Sequence, residues 1–366
     1  MSFPLAGVRV LDLTRLVPGA FATLMLAELG AEVIKIEDPI RGDPMRHLPP
    51  LLEGRSLFDL LLNRGKKSVA LDLKRPESAP VLDRLMAQSD VVIESFRPKA
   101  ARHFGVAGAQ VRARHPRVIH CAITGYGQAG PYADRPGHDL NYVSLSGFLS
   151  ADRPNPMELP RMFIADIGGG AMSAVIGILA ALVRRSRDGE GGTLDISMHE
   201  AALYWMMLPA ARELVDGGNG ADAGLPTFGD HACYNVYRTK DDRLIALGAL
   251  EEKFWRGFCD VIGRSDLTAR HMSDDADQAR LLEEVRAIFL SRTRAEWLAQ
   301  FGAHEVCLTP VNSPREALAD PHVAARGAVI GGPGLRTIRP PFLQASPDLC
   351  RAPALGADTD DVLREL

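Results

Sequence analysis

The sequence lacks most of the features that would mark a specialised class of protein. Its five cysteines (Cys121, Cys233, Cys259, Cys307, Cys350) form no C-x-x-C pair and show no metal-ligand spacing. That excludes a zinc module and a disulfide scaffold, and makes reduced thiols and no bound metal the expectation. Basic residues are not in excess, with 42 Lys and Arg against 46 Asp and Glu and a net charge of −4. A nucleic-acid binder normally shows the opposite balance, so any anionic substrate must be met by local cations rather than a global field. The longest uncharged run, Ile167–Val183, contains four glycines and stops at Arg184 and Arg185. It falls short of the ~20 residues of a membrane span, so a buried core helix is the expectation. The opening MSFPLAGVRVLDLTR has no charged segment leading into a long apolar run, and the closing VLREL is not a peroxisomal address. No membrane partner, no nucleic acid and a cytoplasmic location are expected.

What is present is an ordinary globular balance, 46% hydrophobic and 24% charged over 366 residues, enough for two domains of typical size. Strand-like apolar runs alternate with amphipathic stretches. Val8–Leu13, Glu32–Glu37, Ser68–Leu73, Asp90–Glu94 and Val118–Ile123 read as strands, and Gly19–Leu29 and Pro76–Ala87 as helices. Such alternation predicts an α/β domain with a mostly parallel, Rossmann-like sheet. Residues 214–228, rich in Gly and Asp, read as a linker. Beyond them a hairpin (Ala232–Arg238, Leu244–Ala249) and three helices (Lys253–Ile262, Asp277–Leu290, Arg294–Phe301) predict a smaller α+β domain over 229–327. Residues 1–213 and 328–366 form the larger one, the Pro- and Gly-dense tail wrapping back.

Gly125-Tyr126-Gly127-Gln128-Ala129-Gly130 is a literal G-x-G-x-x-G. A dinucleotide site needs a helix to begin inside it, whereas Pro131-Tyr132-Ala133-Asp134-Arg135-Pro136 follows. A nicotinamide-dependent dehydrogenase is therefore a poor reading, and Gly127 and Gly130 are expected in a tight loop that lets backbone approach a ligand.

Two segments can carry chemistry: Gly137-His138-Asp139-Leu140-Asn141-Tyr142 and Ala165-Asp166-Ile167-Gly168-Gly169-Gly170. Asp166 reads as a helix N-cap, with Gly168 and Gly169 exposing backbone N–H groups to a substrate. The alternative is a plain cap with glycines that permit close helix packing. Three glycines in a first turn cost roughly 1 kcal/mol each against alanine, which weighs against a purely structural role. Imidazole exchanges protons near neutral pH, so His138 and Asp166 could flank a carbon acid. Glu251 reads as a solvated or capping acid. Lys35, Arg64, Lys66, Lys67 and Arg97 are the cations that could meet phosphates, although Arg64–Ser68 reads equally well as a solvated basic turn.

Taken together, these stretches resemble CoA-transferase family III (the CaiB/BaiF-like proteins), and within it the α-methylacyl-CoA racemases. The resemblance runs through Leu5–Asp12, Gly19–Pro39, Asn63–Asp72, Glu94–Pro98, Gly125–Pro131, Gly137–Tyr142, Asp166–Gly170 and Gly248–Phe254. It implies an acyl-CoA substrate, no separate cofactor, and two interlocked subunits of a homodimer. In the transferases an aspartate matched by Asp166 is a nucleophile, whereas in the racemases it is a base opposite a histidine matched by His138 and supported by a glutamate matched by Glu251. Transferases usually carry an aromatic residue at that histidine, so His138 points to racemisation. Transfer of CoA through Asp166 and a catalytically silent acyl-CoA binder are the alternatives. Asp38 stands where racemases can carry an arginine near the nucleotide, and the short, proline-rich 151–160 differs from the family around the acyl pocket.

Overall fold

The computed structural model describes residues 3–150, 159–211, 213–215, 229–332, 334–343 and 352–366. Most of the predicted linker, the stretch 151–158 and Cys350 lie outside the described residues. The chain forms two units, Met1–Leu214 with Ile330–Leu366, and Val215–Val329.

The first unit is built on six parallel strands: β1 (Arg9–Leu13), β2 (Glu32–Glu37), β3 (Lys67–Ala70), β4 (Val91–Glu94), β5 (Ile119–Thr124) and β6 (Gly192–Ser197), in the spatial order β3-β2-β1-β4-β5-β6. Their apolar side chains alternate between two cores. Val10, Val33, Ile93, Cys121 and Ile123 face one side, and Leu11, Leu13, Ile34, Ile36 and Val92 the other. This double burial is why the strands read as nearly continuous apolar runs. The order reverses between β1 and β4, so their carboxyl ends diverge and open a crevice, the usual ligand position in such sheets.

Helix α1 (Leu16–Glu28) follows β1 through a tight turn: a Cβ at Gly19 would stand 2.1 Å from the Thr14 Cβ. The outer edge of β3 is closed by the C-terminal segment. The Ser68 N–H donates to Asp358 Oδ2 at 2.8 Å and the Ala70 N–H to Thr359 Oγ1 at 2.9 Å. An unpaired strand edge is thereby covered.

The glycine-bearing segment opens as a π-helical turn, Ile164–Ala171, and continues as an α-helix, Met172–Asp188. The combined helix is long and apolar enough to cross a membrane. Ala174, Val175, Ile178 and Ala181 bury one side of it within the unit, while Ile176 and Val183 are exposed. Exposed apolar side chains continue on the helix Met198–Trp205 and just after it, with Leu203, Tyr204, Trp205, Met207 and Leu208.

The second unit holds a three-stranded antiparallel sheet (Leu308–Pro310, Leu244–Gly248, Tyr234–Arg238) and the helices Glu252–Ile262, Asp275–Leu290 and Arg294–Phe301. Much of the chain's sparse aromatic content is spent here: Trp255, Phe258, Phe289, Trp297 and Phe301 form its core. Both indole N–H groups find carbonyls, Trp255 to Leu267 at 3.0 Å and Trp297 to Phe289 at 2.9 Å, as buried tryptophans require.

Candidate active site

His138 caps the short helix α2 (Asp139–Leu145). Its backbone N–H donates to Asn141 Oδ1 at 3.0 Å, and the Asn141 N–H donates to the His138 carbonyl at 2.8 Å. That reciprocal pair fixes the start of the helix and leaves the His138 side chain exposed. The next residue, Asp139, reaches back to the other segment, where its Oδ1 accepts the Asp166 N–H at 2.9 Å. The two stretches are thus joined directly, and His138, Asp139 and Asp166 share one cavity of about 490 Å³. Leu140, Val143, Leu159, Pro160, Met162 and Phe163 give it a mainly apolar lining, with Arg161 at the wall. Such a cavity suits an acyl chain with a few polar groups at one end.

Asp166 lies in the first turn of the π-helix, and Phe163, not Asp166, is the N-cap. Burial raises the Asp166 carboxyl, with the Asp139 charge adding to it, to about 7. Buried Tyr142 on α2 is likewise held above the usual phenol range, first by burial and then by the Asp166 charge. A carboxyl poised near neutrality can give or take a proton under the conditions in which the protein works.

The three glycines turn out to be a packing device. A Cβ at Gly168 would lie 2.1 Å from the Trp205 ring, at Gly169 3.1 Å from Ala201 Cβ, and at Gly170 2.6 Å from Met198 Cγ. Gly168 and Gly169 lie inside the π-helical turn, where a π-helix pairs each N–H with the carbonyl five residues back. The Asp139 and Leu140 N–H groups, in the first turn of α2, have no acceptor among the described residues, and both residues line the same cavity. An orphan first-turn donor of this kind is what an oxyanion needs.

Three of the five expected phosphate cations are spent inside the protein. Lys35, 1% exposed, pairs with Asp43 at 3.0 Å and donates to the Thr14 carbonyl at 2.9 Å. Lys66, 5% exposed, donates to Asn63 Oδ1, Thr23 Oγ1 and the Ala20 carbonyl, with Asp12 at 3.5 Å. Arg64 is buried against Glu28 and the Leu61 carbonyl. These side chains cannot turn to a phosphate without leaving buried carboxylates unpaired. Lys67 is half-exposed and paired with Glu32 at 2.6 Å. Arg97 is exposed just beyond β4, at the start of the helix Pro98–His103.

The crevice at the strand reversal supplies cations that sequence reading missed. Arg15 and Lys74 line it with Asp38, Phe96 and Phe104. The Arg15 guanidinium stands 5.8 Å from the Phe96 ring centre, and the Phe96 and Phe104 rings are 5.2 Å apart. Asp38 accepts the Ile40 and Arg41 N–H groups at 2.9 Å each. Arg15 could have been suspected from its place directly after the first strand.

Gly127 and Gly130 both adopt left-handed backbone in the loop after β5, at φ +81° and +91°. The following Gln128 N–H is held by both Asp195 oxygens at 3.1 and 3.0 Å. In the second unit Glu251 is exposed and precedes the helix Glu252–Ile262, with no side-chain cap bond. Among the described residues no cluster of His, Cys, Asp and Glu could hold a metal.

Residues 5–359 match the family model described as CoA-transferase family III. The chain is 33% identical to the alpha-methylacyl-CoA racemase of Mus musculus over 99% of its own length and 93% of that protein's. It is equally, 33%, identical to the succinate–glutarate CoA-transferase of Agrobacterium fabrum, over 99% and 96%. A crystal structure of a CaiB/BaiF family protein from Brucella suis superposes with a TM-score of 0.85 at 28% identity, covering both chains completely.

Proposed function

This chain belongs to CoA-transferase family III, and on that premise we propose that it racemises 2-methylacyl-CoA thioesters by proton transfer at the carbon next to the thioester carbonyl. The observation that carries this reading is the placement of His138 and Asp166 on one mainly apolar cavity, with the carboxyl raised to about 7. At neutral pH Asp166 is substantially protonated. His138 then removes the α-proton from one face while Asp166 delivers a proton to the other, and in the return direction the roles exchange. Each such group typically contributes about 10²–10⁴-fold. The enolate oxygen forms beside α2, where the Asp139 and Leu140 N–H groups are the candidate donors. Glu251 is proposed as a further functional acid, from the resemblance of Gly248–Phe254 to the racemases.

The nucleotide end of CoA is assigned to the strand-reversal crevice. Arg15, Lys74 and Arg97 would meet its phosphates there, and Phe96 and Phe104 offer an aromatic wall. CoA is part of the substrate, and no further cofactor is required by this chemistry. A homodimer is proposed because the exposed apolar side chains on Met172–Asp188 and Met198–Trp205 call for a cover. A cytoplasmic location fits the free cysteines among the described residues.

A second reading has its own support. CoA transfer through Asp166 as nucleophile is the activity in the name of a relative as similar as the racemase. A nucleophilic carboxylate should however be ionised, and burial works against that at Asp166.

The deciding experiment is α-proton exchange. The protein is incubated in deuterated buffer with (R)- or (S)-2-methylacyl-CoA and no acceptor acid, and the α-position is followed by NMR. Deuterium uptake with loss of stereochemical purity is expected. No exchange, with CoA transfer appearing only when a free acid is added, would replace racemisation by transfer.

A further inference from the structure

The two cavity carboxyls are placed unequally. Asp139 is the first residue of α2, and its Oδ1 takes the Asp166 N–H at 2.9 Å across 27 positions of sequence. Asp166 sits in the first turn of the π-helix, where backbone N–H groups have no partner within the helix. One hydrogen bond therefore anchors the catalytic segment to α2 and holds the Asp139 charge beside the Asp166 carboxyl.

Neither carboxyl is ion-paired among the described residues, although Arg161 lines the same cavity. On α2 the other polar groups nearby are His138, exposed, and the Tyr142 phenol, buried. Tyr126 meets the edge of the Tyr142 ring at 5.2 Å, with His199 6.1 Å from Tyr126. Arg97 acts on Tyr142 from the start of its own helix. The helix Met198–Trp205 brings Met198, Ala201 and Trp205 against the glycines. On α1 the one charged side chain, Glu28, is tied to Arg64. Two unpaired carboxyls in one apolar cavity cannot both ionise cheaply, as in carboxylate dyads generally. Burial, with the Asp139 charge beside it, raises the Asp166 carboxyl, so the proton is placed on Asp166.

Resting on the proton-transfer reading above, we infer that Asp139 is a positioning residue that anchors Asp166 and makes it the proton donor of the resting site. The consequence is chemical asymmetry: the free enzyme presents a protonated carboxyl at Asp166 across from the His138 imidazole, not a second carboxylate base.

Asp139→Asn tests this, because the amide oxygen can still accept the Asp166 N–H while the charge is gone. The full-length protein is labelled with ¹³C at the aspartate carboxyls, and the Asp166 signal is assigned by its loss in Asp166→Asn. In the unaltered chain its midpoint is expected near 7. In Asp139→Asn it should fall by about one unit or more, and the matching limb of the pH profile of α-proton exchange should move with it. Asp139→Ser removes the same charge and gives the same comparison should the Asn chain not fold. An unchanged Asp166 midpoint overturns the inference. A shifted midpoint in a protein that shows no α-exchange keeps the inference and removes the racemase reading instead.

Discussion

Asp12 on the first strand and Lys66 just before the third stand 3.5 Å apart, and neither side chain touches solvent. Lys35 lies 3.8 Å from the same carboxylate and 3.0 Å from Asp43, so two buried carboxylates balance two ammonium groups. Burial, reinforced by the neighbouring Lys35 charge, pulls Lys66 down to about 8. Against the same burial penalty, Asp12, Asp43 and Glu37 hold Lys35 above its ordinary range. Asp12→Asn leaves the two cations undercompensated. It should cost about 3–5 kcal/mol, measured by chemical denaturation, whereas a cost under about 1 kcal/mol would contradict this account of the network.

His138→Ala and Asp166→Ala should each lower α-proton exchange by about 10²–10⁴-fold or more while CoA binding, followed by calorimetry, is retained. If either variant kept near-normal exchange, that residue would lose its assignment.

Asp166 also sets a pH dependence of stability. Its folded value of about 7 stands above the ordinary 3.8, so its contribution is fully present below about pH 4 and is lost as pH rises through 7. Asp166→Asn cannot ionise and escapes that loss. The variant should be inactive yet more stable than the parent at pH 8, by at most a few kcal/mol, with the advantage vanishing near pH 4. Equal melting temperatures at both pH values would show that Asp166 is not strained by ionisation.

The glycine turn separates two substitutions of equal size. In Gly168→Ala the new methyl meets the Trp205 ring, which is 47% exposed and free to swing outward. Alanine's better helix propensity, worth about 1 kcal/mol, then offsets most of the cost. In Gly170→Ala the methyl meets Met198, only 6% exposed, and overpacking of about 1–3 kcal/mol should win. Thermal denaturation of the two variants should therefore diverge, and equal melting temperatures would mean the turn is not packed as described.

The strands flanking the crevice are legible in sequence because apolar runs of four to six residues, bounded by turn signals, are too short for core helices and too apolar for loops. β6 is not legible in the same way. It is an edge strand whose Thr193 and Asp195 interrupt the apolar run, so its pattern resembles a loop. His138 and Asp166 stand out by their company of glycines and by the resemblance, yet Asp139 carries no signal of its own, since its role depends on an amide 27 residues away. The lysines mislead for the same reason. Nothing local to Lys35 or Lys66 announces that Asp12 and Asp43 will close over them. Arg15, which remains free to face the crevice, looks no different from them in sequence.

The wide turn at Ile164–Ala171 also has a bearing on how this site could be lost. A π-helical turn accommodates one extra residue within an α-helix, so the helix beyond it keeps the phase it would have without the insertion. Deleting a single glycine there would let the hydrogen-bond ladder close up as ordinary α-helix without disturbing the long apolar segment downstream. The turn itself would tighten, moving Asp166 relative to the Asp139 carboxylate that holds its N–H. A one-residue change in length, harmless in most surface loops, would here disturb the seat of the acid while leaving the helix intact.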